Sequence, residues 1–176
     1  MIDKLGLAIL TMFGIGYKYP PGTIASFVTC LIYLVLIVIF EVNFYILWLI
    51  FFIVLVYSLV LIDKLSRHFK GKDPKEIVID EFLGQSIPII TIWGIDSYFF
   101  SWKAPERYLL FFLIAFISFR LFDISKPFPI YIVDKRMKNN FGIVFDDVIA
   151  GIYSAIIVYI IFIKLQRFFL SLYLKR

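Results

Sequence analysis

The chain has 176 residues, 62% of them hydrophobic, with a mean hydropathy of +0.94 and a formal net charge of +5. That excludes a soluble domain of this length, whose surface would be covered in Phe, Ile and Leu. It also argues against a nucleic-acid partner, because no basic run is interleaved with exposed aromatics; the positive charge reads as a topology signal and as attraction to anionic headgroups.

Asp3 and Lys4 precede a short apolar stretch that meets Gly14 and Gly16, which is not the pattern of a cleaved signal peptide. Hydropathy then predicts five spans: about Ile24 to Phe40, Phe44 to Ile62, Gln85 to Phe100, Tyr108 to Phe122 and Val148 to Ile163. Only Glu41-Val42-Asn43 separates the first two, so they form a tight antiparallel hairpin. The third is the weakest, interrupted by Pro88, Gly94 and Asp96. Cys30 sits inside an apolar run, can form no internal disulfide and reads as packing. The expected architecture is all-α: a multi-span integral membrane bundle of about four to five transmembrane helices, one domain over residues 1–176. A domain this short could pair with a second copy.

Parity sorts the loops. If all five spans cross, twelve of the Lys and Arg residues fall on one side and six on the other. The positive-inside rule makes the richer side cytoplasmic. The richer group is Lys4, Lys18, Lys64, Arg67, Lys70, Lys72, Lys75, Arg120, Lys126, Lys135, Arg136 and Lys138. A re-entrant third span, or an interfacial tail over Lys164 to Arg176, would alter the count.

Three polar clusters share that side. The first, Gly14 to Thr23, runs directly into span one with Ser26 a turn on; glycines permit close backbone approach, and a helix start offers unpaired N–H groups to a phosphate. An ordinary turn with Thr23 as N-cap explains the same residues. The second runs from Asp73 to Gln85. On a helix its Asp80 faces Gly84 and its Glu81 faces Gln85. Adjacent carboxylates entering lipid are costly unless paired, hydrated or bound to a cation, although a solvated helix start would also favour acids. The third runs from Phe119 to Tyr153. Arg120 and Asp123 share a helical face and can pair, Lys126 precedes Pro127, and Asp146-Asp147 open span five after Gly142.

Asp80, Glu81, Asp123, Asp146 and Asp147 are therefore offered as hard oxygen ligands, with Arg120, Lys126 and Lys18 as cations. Oxygen-only ligation without a Cys or His cluster suits Mg²⁺ rather than zinc, and neighbouring cations suit a phosphate dianion. The lone histidine, His68, lies among Arg67, Lys70 and Lys72 and reads as part of a solvated basic loop. Chemistry on a lipid phosphate at the membrane surface is the reading these residues favour.

The same residues carry a family resemblance. Asp80-Glu81-Phe82-Leu83-Gly84 after Ile77-Val78, Phe119 to Pro127, and Gly142 with Asp146-Asp147-Val148-Ile149-Ala150-Gly151 closely resemble the motifs of phosphatidylglycerophosphatase A. Pro21-Gly22-Thr23 with Ser26 resembles that family's N-terminal motif, with Ala25 where the family usually has Gly and Pro20-Pro21 where Ala-Pro is usual. The resemblance implies an all-helical, Mg²⁺-dependent integral membrane phosphatase of the bacterial cytoplasmic (inner) membrane. It would hydrolyse a phospholipid substrate in the bilayer, phosphatidylglycerophosphate, to phosphatidylglycerol and inorganic phosphate on the cytosolic face.

On this expectation the five carboxylates divide into Mg²⁺ ligands and one base that orients water, and Arg120 and Lys126 hold phosphate. Gly22, Thr23 and Ser26 help grip the headgroup. An aspartyl-phosphate route through Asp123 or Asp80 is the alternative chemistry, and a purely structural Arg120–Asp123 pair stays open. Rival functions are a small transporter or channel with interfacial carboxylates, or a phosphatase acting on another lipid phosphate. Charges gathered at span ends rather than span centres favour the phosphatase.

Overall fold

A computed structural model of the protein describes residues 2–65, 68, 74–99, 105–137 and 140–173. Among the described residues there are seven α-helices and no strands: α1 (Ile2–Leu10), α2 (Pro21–Leu34), α3 (Phe44–Leu65), α4 (Ile79–Phe99), α5 (Pro105–Ser125), α6 (Ile130–Arg136) and α7 (Asn140–Tyr173). A π-helical turn, Val35–Ile39, prolongs α2. Arg67, Lys70, Lys72, Lys103, Lys138, Lys175 and Arg176, on which part of the charge count rests, and Asp73, which opens the second polar cluster, lie outside the described residues.

Four helical stretches are long and apolar enough to cross a membrane: Pro21–Ile39, Phe44–Leu65, Tyr108–Ser125 and Gly142–Leu165. Their outward residues, such as Leu31, Phe52, Ile53, Leu113 and Ile156, are exposed. An apolar surface of this kind is solvated by acyl chains, which makes this a helical membrane bundle. The hairpin between α2 and α3 is as tight as expected, with the Asn43 side chain accepting from the Tyr45 N–H at 2.9 Å to cap α3.

The third predicted span differs in an instructive way. It is α4, it begins at Ile79 rather than Gln85, and it is not among the four apolar stretches. Protein surrounds it instead: α4 packs against α2, α3, α5 and α7, most extensively α7. Leu83, Ile90 and the polar Gln85 and Ser86 are all buried, so lipid hydropathy is the wrong yardstick for this helix. Nor does it re-enter. Glu81 at its start lies against Gly22 at the start of α2, and Trp93 near its end donates from Nε1 to the Val42 carbonyl at 2.8 Å. At 21 residues, α4 is about 30 Å long and runs the length of the bundle.

Close approach of α4 and α7 depends on two glycines. A Cβ on Gly84 would strike the Phe119 ring and the Asp147 carbonyl, and one on Gly151 would strike the Gly84 carbonyl. Small residues at such crossings let backbones meet where no hydrophobic effect drives association. A buried hydrogen bond between Ser118 and Ser154, 2.5 Å long, joins α5 to α7. Buried Cys30 packs in the core, as expected of it.

Every long helix thus runs between the same two ends. The start of α2, start of α4, end of α5 and early α7 meet at one; the α2–α3 hairpin, end of α4 and start of α5 meet at the other. The fifth predicted span starts earlier than expected, at Asn140, so Asp146 and Asp147 stand inside α7 rather than opening it. Neither α1 nor α6 was predicted.

Candidate active site

The first of these ends gathers the charges. A cavity of about 480 Å³ opens there, lined by residues from the α2 start, the turn before α4, α4, the end of α5, the α5–α6 connection, α6 and α7. Its lining includes all five carboxylates singled out by sequence, Asp80, Glu81, Asp123, Asp146 and Asp147, together with Lys126. Residues scattered over more than sixty positions converge because α5 descends to the level at which α4 and α7 begin.

One ligand oxygen each from Asp80, Glu81 and Asp147 lies within 4.8 Å of the others. Asp80 also accepts from the Glu81 N–H at 3.1 Å. Asp123 stands close enough to Asp147 and Glu81 to interact with both. Arg120 donates from Nη1 to Asp123 at 2.5 Å, the expected pair across three residues. Gly22 closes this corner, since a Cβ there would fall on Glu81 Oε1 and Arg120 Nη1.

Lys126 forms a second, separate knot. It follows the last residue of α5 with a φ of 41°, a left-handed conformation that a non-glycine residue adopts only under surrounding constraint. From there its Nζ donates to Asp134 at 2.6 Å and to Asp146 at 2.7 Å. Burial works against its ammonium, but these two carboxylates more than offset that and hold its pKa above the ordinary lysine value. It therefore stays charged throughout the physiological range.

The charge balance is uneven. Six carboxylates and three ammonium groups line the cavity, and Asp146 and Asp147 are only 7% and 4% exposed. Buried Glu81 Oε2, Asp146 Oδ1 and Arg120 Nε have no hydrogen-bond partner, and the same is true of both amide atoms of Gln85. Crowded, desolvated carboxylates repel one another and are stabilised by a cation among them. The Asp80–Glu81–Asp147 group fits a hard divalent ion by donor type and by convergence.

The N-terminal motif contributes differently from the expectation. Its α2 starts with Pro21 at the first helical position and Pro20 before it, so Thr23 is inside the helix and not its N-cap. Buried Ser26 donates to the Gly22 carbonyl at 2.8 Å. Of this segment only Pro21 lines the cavity; Gly22 supports it from behind, and Thr23, Ser26 and Lys18 do not line it. His68 lies outside it too, with Nδ1 3.3 Å from the Leu65 carbonyl.

Asp134 is a participant that sequence reasoning missed. It sits in a run, Val133 to Lys138, that reads as solvated charge, and no helical spacing links it to Lys126 across two prolines. Lys75 and Lys135, which also line the cavity, entered the sequence argument only as topology charges.

Comparison with known proteins bears on this arrangement. A family model described as Phosphatidylglycerophosphatase A matches residues 8–162. A Haemophilus influenzae protein named Phosphatidylglycerophosphatase A is 35% identical over 152 residues, covering 85% of this chain and 83% of that protein. A Bacteroides thetaiotaomicron protein, provisionally named a phosphatidylinositol-3-phosphatase, is 29% identical over 158 residues, covering 88% of this chain and 91% of its own. An Escherichia coli Phosphatidylglycerophosphatase A is 35% identical over 89 residues, 51% of this chain and 45% of that protein. No solved structure matches the chain.

Proposed function

The chain belongs to the phosphatidylglycerophosphatase A family, a family of phosphoric monoester hydrolases, and from that premise we propose that it hydrolyses phosphatidylglycerophosphate to phosphatidylglycerol and inorganic phosphate with Mg²⁺ as its cation. The observation that carries the metal is the cavity itself. Six carboxylates against three ammonium groups would repel a phosphate dianion unless a cation stood among them.

Asp80, Glu81 and Asp147 are the ligands that fit this ion, with Asp123 beside them. When bound, a divalent ion supplies Lewis-acid polarisation of the phosphoryl oxygens and relieves the repulsion among its ligands. Lys126, anchored by Asp134 and Asp146, holds the phosphoryl group and offsets its developing charge, while Arg120, which does not itself line the cavity, fixes Asp123 and adds positive charge from behind it. Asp146 Oδ2 is committed to Lys126 while Oδ1 has no partner; that free oxygen suits it to accept a proton from the attacking water. Water adds at phosphorus and gives one proton to Asp146, the bond from phosphorus to the glycerol oxygen breaks, and that oxygen takes up the proton Asp146 holds, directly or through water.

Gly22 keeps Glu81 and Arg120 in reach of each other, so the N-terminal motif shapes the site. Twelve of eighteen basic residues fall on the loop side that includes this cavity, which supports a cytosolic site in the bacterial inner membrane.

The test is phosphate release by purified protein in detergent, comparing phosphatidylglycerophosphate with phosphatidate, with and without Mg²⁺. Release from the first, stopped by a chelator and by Asp80→Asn in folded protein, is expected. No release from any lipid phosphate would overturn the reading. Acid-quench trapping of a phosphorylated Asp123 or Asp80 would replace direct water attack with a covalent route.

A further inference from the structure

Both cations first offered for phosphate are already engaged: Arg120 by Asp123, and Lys126 by Asp134 and Asp146. Of the three ammonium groups that line the cavity, Lys126 is one, and the other two are not engaged in this way. Lys75, in the turn before α4, and Lys135, in α6, have no carboxylate within ion-pair distance among the described residues, and both are exposed. Lys135 lies 5.8 Å from the centre of the Tyr131 ring, an aromatic contact that leaves its charge uncancelled.

These lysines differ from the carboxylates in depth. Asp146 and Asp147 are almost wholly buried, whereas the lysines stand at the rim. Lys135 shares its segment with Phe128 and Tyr131, which are 68% and 43% exposed. Exposed aromatics next to a basic residue mark the headgroup level of a bilayer. The cavity therefore has an acidic floor and a basic rim facing the lipid surface.

A lipid whose polyol headgroup carries a terminal phosphate has two phosphorus centres of different kinds. The monoester reacts, and a diester joins the polyol to the acyl-bearing glycerol. With the monoester on the floor, the diester is held back at headgroup level, at the rim. We propose that Lys75 and Lys135 bind this diester, so that the enzyme selects lipids carrying both a phosphodiester and a terminal monoester over lipids with a monoester alone. A flexible point charge suits a singly charged group whose height varies with the membrane, and specificity arises because a substrate without the diester leaves the contact unmade. The inference rests on the phosphatase reading above and names what that site recognises.

The experiment compares kinetics of wild-type protein, Lys75→Ala/Lys135→Ala and a charge control, Lys64→Ala, in neutral detergent. Lys64 is exposed at the end of α3 and does not line the cavity. Substrates are phosphatidylglycerophosphate and phosphatidate, with phosphatidylglycerol, which keeps the diester but lacks the monoester, as inhibitor. For the double variant kcat/KM on phosphatidylglycerophosphate should fall roughly tenfold, mainly through KM. The phosphatidate value should change less than twofold, and inhibition by phosphatidylglycerol should weaken. The control should behave as wild type. An unchanged value for phosphatidylglycerophosphate, or an equal fall for both substrates, would overturn the proposal while leaving the phosphatase standing. A wild-type protein inactive on both lipids would remove the phosphatase reading and this proposal together.

Discussion

The two ends of the bundle treat polar groups in opposite ways. At the hairpin end, Trp93 donates to the Val42 carbonyl, Tyr108 donates to Asp96 Oδ2 at 3.1 Å, and Asn43 caps α3. Neutral donors there meet acceptors, and the first two bonds tie α4 to the α2–α3 connection and to α5. At the cavity end, carboxylates outnumber cations and several buried polar atoms lack partners. The described polar groups at the hairpin end meet partners within the fold; at the cavity end Glu81 Oε2, Asp146 Oδ1 and Arg120 Nε do not. Unsatisfied buried polar groups destabilise a fold, so their concentration at one end marks a site rather than a defect in packing.

Substitutions can break that contrast. The largest effect is expected from Asp147→Asn, Asp80→Asn or Glu81→Gln, each lowering kcat by about a thousandfold or more, as loss of a metal ligand or charge-stabilising group does. Thermal unfolding without Mg²⁺ should be unchanged or slightly raised in these variants, because each removes a repelling charge. A loss of activity tracking a loss of stability would mean that the cluster is structural.

Lys126→Met comes next, with kcat/KM down about a hundredfold and some loss of stability, since Asp134 and Asp146 lose their shared partner. Asp134→Asn keeps the shape and one carboxylate on Lys126. We expect roughly a tenfold loss in kcat/KM from a less firmly held ammonium. Equal effects from the two variants would argue that Asp134 acts on substrate itself.

The smallest effects on activity belong to the other end. Tyr108→Phe removes one donor to Asp96 and should cost about 1 kcal/mol of stability, with kcat/KM within about twofold of wild type. A larger loss of activity would show that the two ends are coupled through α4 and α5.

Legibility in sequence followed the same division. Carboxylates at the edges of apolar runs stood out because lipid leaves so few places for charge, and all five line one cavity. Span boundaries held closely in lipid-facing helices such as Phe44–Leu65, though not in the fifth, which begins at Asn140. They slipped where protein is: α4 carries Gln85, Ser86 and Asp96, and hydropathy cannot tell a weak span from a helix sheathed by four others. Asp134 was hidden because its partner Lys126 lies eight residues back across a turn, a distance no helical periodicity encodes. Thr23 and Ser26 looked available for headgroup contact because a hydroxyl's internal use, such as the bond from Ser26 to the Gly22 carbonyl, depends on where the helix begins.

Mg²⁺ titration of the detergent-solubilised protein by calorimetry, wild type beside Asp147→Asn, tests the contrast most directly. Saturable binding to the wild type, absent from a variant that unfolds at the same or a higher temperature, is the result expected if the cavity end is built around a cation. No saturable binding to the wild type, or equal binding to the variant, would contradict it and leave the carboxylates without the partner their crowding calls for.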